Sequence, residues 1–144
     1  MQVQPYLFFN GRAEEAAAFY KQALGAEVTG MMRYRESPES AAQMPGLPPG
    51  SEDKVMHMAM KVAATEVLAS DGMCSGKPDF HGFSLALTAP DKAKGEQWMA
   101  ALGAGGKVDM PFGPTFFSPG FGMVTDQFGL SWMIVLDAEP APAA

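Results

Sequence analysis

Cationic side chains are scarce in this chain. Its 144 residues include ten lysines and arginines, scattered along the sequence, against sixteen aspartates and glutamates, giving a net charge of −6 and a pI near 4.8. Phosphate backbones are gripped by clustered cations, so this balance excludes a nucleic-acid surface. Cysteine occurs once, at Cys74, which rules out an internal disulfide and suits a reducing compartment. No apolar run reaches membrane-spanning length, and Met1 is not followed by a basic region and an apolar core. Neither a membrane anchor nor a signal peptide is therefore expected, and the cytoplasm is the default location. Charged residues make up only 18%, but hydrophobic residues reach 47%, the balance of a globular chain rather than a disordered one. The length suffices for one domain with a core and falls short of two domains of usual size. Methionine is plentiful, with twelve copies; in strand-like runs its flexible thioether suits core packing, with a methionine-rich binding surface as the alternative.

One stretch occurs twice. Residues 13–26 are echoed by residues 91–104, with Ala23-Leu24-Gly25-Ala26 recurring 78 positions later as Ala101-Leu102-Gly103-Ala104. Both copies carry a helical stripe: Ala16, Phe19, Tyr20, Ala23 and Leu24 in the first, Gly95, Trp98, Met99 and Leu102 in the second. Acidic residues Glu14, Glu15 and Asp91 sit where the helix dipole is positive, and Gly25 and Gly103 are placed to stop each helix. A duplicated helix in so short a chain implies two half-domain modules.

The surrounding segments repeat as well. Residues 3–9 read as a strand that passes through Asn10-Gly11 into the first helix, and residues 27–35 as a second strand. A proline- and glycine-rich loop follows from Ser37 to Ser51, of a length that is often functional. Residues 54–62 alternate, with Val55, His57, Ala59 and Lys61 on one face and Met56, Met58, Met60 and Val62 on the greasier, helix-facing side. A fourth strand over 65–70 ends in the Asp71-Gly72 turn. After a linker at 73–81, strands are predicted over 82–88, 107–112 and 130–136, with an aromatic, glycine-rich stretch at 116–126 before the last. Each half thus reads strand, helix, strand, strand, strand. The fold class is α+β, with each helix shielding one sheet face and the other faces left to form a cupped surface suited to a small ligand. The tail after Asp137, rich in alanine and proline, is expected to be disordered.

Pro5-Tyr6-Leu7-Phe8-Phe9-Asn10-Gly11 before the helix, Lys54-Val55-Met56-His57, Ala69-Ser70-Asp71-Gly72, and the run from Phe121 to Met133 containing Asp126-Gln127-Phe128-Gly129-Leu130-Ser131-Trp132 together resemble the PhnB-like branch of the glyoxalase, or vicinal oxygen chelate, superfamily. The resemblance spans about residues 3–136. It implies paired βαβββ modules (about 3–72 and 82–136) in one glyoxalase-like domain over 1–137, an eight-stranded cup, and commonly a homodimer. Some relatives are labelled demethylubiquinone methyltransferases, yet no glycine-rich nucleotide loop follows a strand here. Metal-dependent members of the superfamily bind a divalent ion through one His, Gln or Glu on each of four strands. The resemblance places those positions near Pro5 or Tyr6, Leu68, Phe83 and Met133, none a normal ligand for such an ion. No metal and no other cofactor is therefore expected.

Among residues able to do chemistry, His57 leads as an acid/base candidate, being opposite the methionines and able to exchange protons near neutral pH; a hydrogen-bonded structural histidine or a dimer contact is the alternative. A two-histidine metal site from His57 and His81 would need a third ligand such as Asp71. Ser70 and Asp71 stand at the expected cup rim, to orient a polar ligand or simply to close a turn. Tyr6, Phe9, Leu68, Phe83, Phe117 and Met133 complete the expected lining, with Trp132 packed under a helix. Cys74 has no basic helix start or paired histidine to activate it. Gly103-Ala104-Gly105-Gly106-Lys107 is not a phosphate loop, because Ala101 and Val108 stand where that motif needs Gly and Ser or Thr. Three functions are consistent with these residues: a metal-free small-molecule binder, an enzyme working through His57 or a non-standard metal site, and a partner protein acting through the loop at 37–51.

Overall fold

The computed structural model describes residues 1–37 and 46–137. Most of the loop expected at Ser37 to Ser51, and the tail after Asp137, lie outside the described residues. The chain divides into two compact units, with the boundary between Asp79 and Phe80.

The first unit runs β1 (Tyr6–Phe8), α1 (Ala13–Leu24), β2 (Glu27–Arg33), β3 (Val55–Val62) and β4 (Thr65–Ser70), with single 3-10 turns at Tyr34–Glu36 and Ser51–Asp53. Its sheet has the order β1-β4-β3-β2, with β1 parallel to β4 and the remaining pairs antiparallel. The second unit repeats that plan. It runs β5 (Leu85–Ala89), α2 (Lys92–Gly103), β6 (Lys107–Gly113), β7 (Gly120–Thr125) and β8 (Ser131–Leu136), with order β5-β8-β7-β6 and β5 parallel to β8. The chain therefore carries two βαβββ modules, each a mixed four-stranded sheet with one helix.

Period-two burial selects the helix-facing side of each sheet. In the first module Leu7, Met58, Met60, Val62, Val67 and Ala69 are buried on it, meeting Ala13, Ala16, Ala17 and Tyr20 of α1. Val55 is also buried, because a register shift near Met32 and Arg33 breaks the simple alternation at the start of β3. Phe9 and Tyr20, both fully buried, meet with ring centroids 6.1 Å apart. Each such ring contributes about 1.5–3 kcal/mol of apolar burial. In the second module Leu87, Ala89, Val124, Trp132 and Ile134 pack toward Met99 and Leu102 of α2.

The helix ends differ from one another. Gly25 adopts the left-handed conformation (φ 71°) that stops α1, as expected from the sequence. Gly103 is instead the last residue of α2, the helix is followed by Ala104 in extended backbone, and the left-handed residue comes later, at Gly105. At the other end of α2 the Asp91 carboxylate accepts the Lys94 N–H at 2.8 Å, an N-cap rather than a first-turn charge.

Candidate functional site

The face of each sheet turned away from its own helix is the place to look for chemistry. In the first module, register puts Tyr6 of β1 beside Leu68 of β4, and Leu68 beside Ala59 of β3. One row along, Phe8 lies beside Ser70, while His57 pairs with Met32 of β2. Tyr6 and Phe8 are 42% and 51% exposed, and Leu68, Ala59 and His57 are half-buried. The Tyr6 hydroxyl is 3.0 Å from His57 Nδ1, and the Tyr6 ring packs against both Phe8 (5.2 Å) and His57 (5.6 Å). Burial pushes the Tyr6 phenol above its ordinary value, with the neighbouring Ser70 hydroxyl opposing that rise. Behind them Ser70 Oγ accepts the Gly72 N–H at 2.9 Å, and the buried Tyr34 hydroxyl donates to the Gly72 carbonyl.

Four predicted site residues therefore converge: Tyr6, His57, Leu68 and Ser70. Two others do not join them. Phe9 was expected in the lining but is buried against Tyr20 of α1, because it shares the helix-facing parity of Leu7, its N–H still donating to the Ser70 carbonyl at 2.9 Å as the pairing with β4 ends. Asp71 was expected at a ligand-facing rim, yet its carboxylate is 1% exposed and filled by backbone. Its Oδ1 accepts from Gly11 N at 2.9 Å and Ala13 N at 2.7 Å, and its Oδ2 from Val55 N at 2.8 Å. It bolts the entry of α1 to the start of β3, closing the turn as the alternative reading had it.

The remaining predicted lining residues belong to the second module. Met133 of β8 lies between Ala86 of β5 and Met123 of β7, on the face away from α2. Phe117 is 51% exposed in the β6–β7 connection, edge-on to Phe121 at 5.0 Å. Phe83 precedes β5, which starts at Leu85 rather than 82, and packs edge-on against Phe80 at 6.3 Å. The strand position opposite Met133 is therefore Ala86, not Phe83.

Register fixes what stands at these positions within each module: a phenol (Tyr6) and an isobutyl group (Leu68) on β1 and β4, a methyl group (Ala86) and a thioether (Met133) on β5 and β8, none of them the carboxylate or imidazole donor that a hard or borderline cation takes. Among the described residues no three His, Cys, Asp or Glu side chains lie together as a possible metal cluster. His81 is exposed in the linker. Cys74 has its thiol pushed up by burial, with Ser51 opposing, and so lacks an activated thiolate.

Residues 1–135 match the family profile described as 3-demethylubiquinone-9 3-methyltransferase. The chain belongs to this PhnB-like family. It is 37% identical to Protein YjdN of Escherichia coli K12 over 97% of this chain and 99% of that one. Among solved structures it resembles protein PA1353 from Pseudomonas aeruginosa (36% identity, TM-score 0.80, 96% of this chain and 99% of that one). It also resembles a PhnB protein from Bacillus cereus described as a putative 3-demethylubiquinone-9 3-methyltransferase (28% identity, TM-score 0.76, 94% and 99% covered). A lactoylglutathione lyase from Agrobacterium tumefaciens, 18% identical with TM-score 0.55 over 94% and 91% of the two chains, shares the glyoxalase fold.

In this PhnB-like chain the stretch Asp126 to Trp132, part of the Phe121-to-Met133 run that contributed to the resemblance, is architectural. Asp126 Oδ1 accepts from Phe128 N at 2.9 Å and Leu130 N at 3.0 Å, its Oδ2 accepts from the Trp132 indole at 2.9 Å, and Gly129 supplies the left-handed turn residue (φ 85°). The Tyr6–His57 pair had no such signal. Its partners are 51 residues apart and meet only because β1 inserts beside β4.

Proposed function

We propose that this PhnB-like protein binds a small molecule on the open sheet face of its first module, without the divalent ion of the metal-dependent glyoxalases. The observation that carries the reading is the row Tyr6–Leu68–Ala59, in which Tyr6 and Leu68 stand at two of the strand positions where a chelating site needs donors and supply a phenol and an isobutyl group instead. A cytoplasmic setting accords with the lone cysteine, and a homodimer with the family resemblance; neither is required for binding. The test is elemental analysis of protein purified without added metal, together with thermal-shift screening against divalent metals and small organic acids. An organic ligand that raises the melting temperature while metals do not is the expected result. A stoichiometric divalent ion held by residues of β1, β4, β5 or β8 would sink the proposal.

A second reading, an enzyme using His57 for proton transfer, is favoured by the Tyr6 hydroxyl that holds the imidazole in one orientation. It predicts turnover that His57→Ala abolishes; a variant that keeps full turnover removes His57 from the mechanism. Methyl transfer, which the family description names, gains no support from the described strands, none of which leads into a helix through a glycine-rich nucleotide loop.

A further inference from the structure

The hydrogen bonds behind His57 restrict which ring nitrogen carries its proton, and that in turn restricts the ligand. A backbone N–H only donates, so Ser70 Oγ is the acceptor in its 2.9 Å contact with Gly72 N, leaving the Ser70 proton for a neighbouring phenol. The Tyr34 hydroxyl is committed to the Gly72 carbonyl. In the Tyr6–His57 contact, a phenol is a better donor than acceptor because its ring delocalises the oxygen lone pair, whereas an unprotonated imidazole nitrogen is a strong acceptor. Burial also favours the protonated phenol of Tyr6, so its hydrogen remains available. With Tyr6 as the donor to Nδ1, the proton of a neutral imidazole sits on Nε2.

From this geometry we infer that the first module's open face takes molecules with an apolar body and an oxygen acceptor, a carboxylate or a ketone carbonyl, which receives a hydrogen bond from His57 Nε2–H. The inference rests on the binding reading above. The walls fit the apolar body: Phe8, Leu68, Ala59 and Met32 surround the pair on the same face. The nearest charged row, Glu27, Lys61 and Glu66, lies further along the strands, and there Lys61 opposes both carboxylates. A ligand amine would instead set one donor against another and leave both unpaired, which desolvation makes costly.

The experiment titrates the full chain with three probes of matched body: 4-phenylbutanoate, 5-phenylpentan-2-one and 4-phenylbutylamine. Binding is followed by amide chemical shifts, and long-range proton–nitrogen spectra of the His57 ring report its tautomer. Perturbed Tyr6, Phe8 and Leu68 amides with the acid and the ketone, about tenfold weaker or no binding of the amine, and an Nε2–H tautomer are expected. His57→Ala should lower affinity for the acid about tenfold, the effect of one hydrogen bond, and Tyr6→Phe should shift the tautomer population. If the amine binds as tightly as the acid and ketone, or the ring is Nδ1–H, the ligand class is wrong while the binding face stands. If no probe perturbs those amides, both readings fail. The tautomer spectrum is recorded on the wild-type chain, so it remains decisive even where a variant folds poorly.

Discussion

The indole of Trp132 donates to the Asp126 carboxylate at 2.9 Å, with both residues at least 97% buried. Asp126 also holds two amides of its own turn, so one side chain fixes the β7–β8 hairpin and the largest core residue of the second module. Asp126→Asn keeps the shape but replaces one acceptor oxygen with an NH2 that faces a donor. The expected loss is about 2–3 kcal/mol of stability, with red-shifted tryptophan fluorescence if the indole is released. Denaturant unfolding checks both; an unchanged midpoint would show that the carboxylate contributes nothing there.

Asp71→Ala is expected to destabilise the first module by about 3 kcal/mol, because the Gly11, Ala13 and Val55 amides lose their acceptor in a buried place. A ligand-contacting aspartate would behave differently: its removal would weaken binding and leave the melting temperature alone. Parallel melting curves and ligand titrations separate the two roles.

Replacing a mid-helix glycine by alanine normally stabilises a helix by about 1 kcal/mol. Gly95→Ala is expected to do the reverse. A Cβ there would lie 2.6 Å from Phe112 Cζ, and the same ring leaves only 2.5 Å for a Cβ on Gly120, so it has no room to retreat. Overpacking costs about 1–3 kcal/mol, and Phe112→Leu in the same chain should recover part of it. Chemical denaturation of the single and double variants measures the coupling.

Alkali should loosen the first module through Tyr34. Burial raises its phenol above the ordinary value of 10.0, so the folded chain holds that proton more tightly than the unfolded chain. The associated stability is complete below about pH 10 and is lost as pH rises through the raised value. Unfolding midpoints from pH 8 to 11 should fall at the upper end, and fall less steeply in Tyr34→Phe. A slope unaffected by that substitution would assign the alkaline loss to other groups.

Local chemistry made much of this architecture legible in advance. The helical stripes, the Gly25 stop and the alternation from Met58 to Val62 are written in residue periodicity, and the repeated order of elements gave two modules. What failed had more than one source. Phe9 shares the parity of Leu7, so alternation itself put it under α1 rather than in the lining, and β5 began three residues later than its hydrophobic run suggested. The His57 partner could not be found by searching for a carboxylate at a regular spacing, since it is a phenol brought in by a parallel strand. Asp126 was recognisable as part of a motif, but nothing in the letters says that its oxygens are spent on its own turn.

The shared acceptor at Asp71 has a kinetic corollary. Val55 is far along the chain from Gly11 and Ala13, yet the amide hydrogens of all three are shielded by the same pair of oxygens. In deuterated buffer they should lose protection as one cohort, released by a single opening event and faster together in any variant that disturbs that carboxylate.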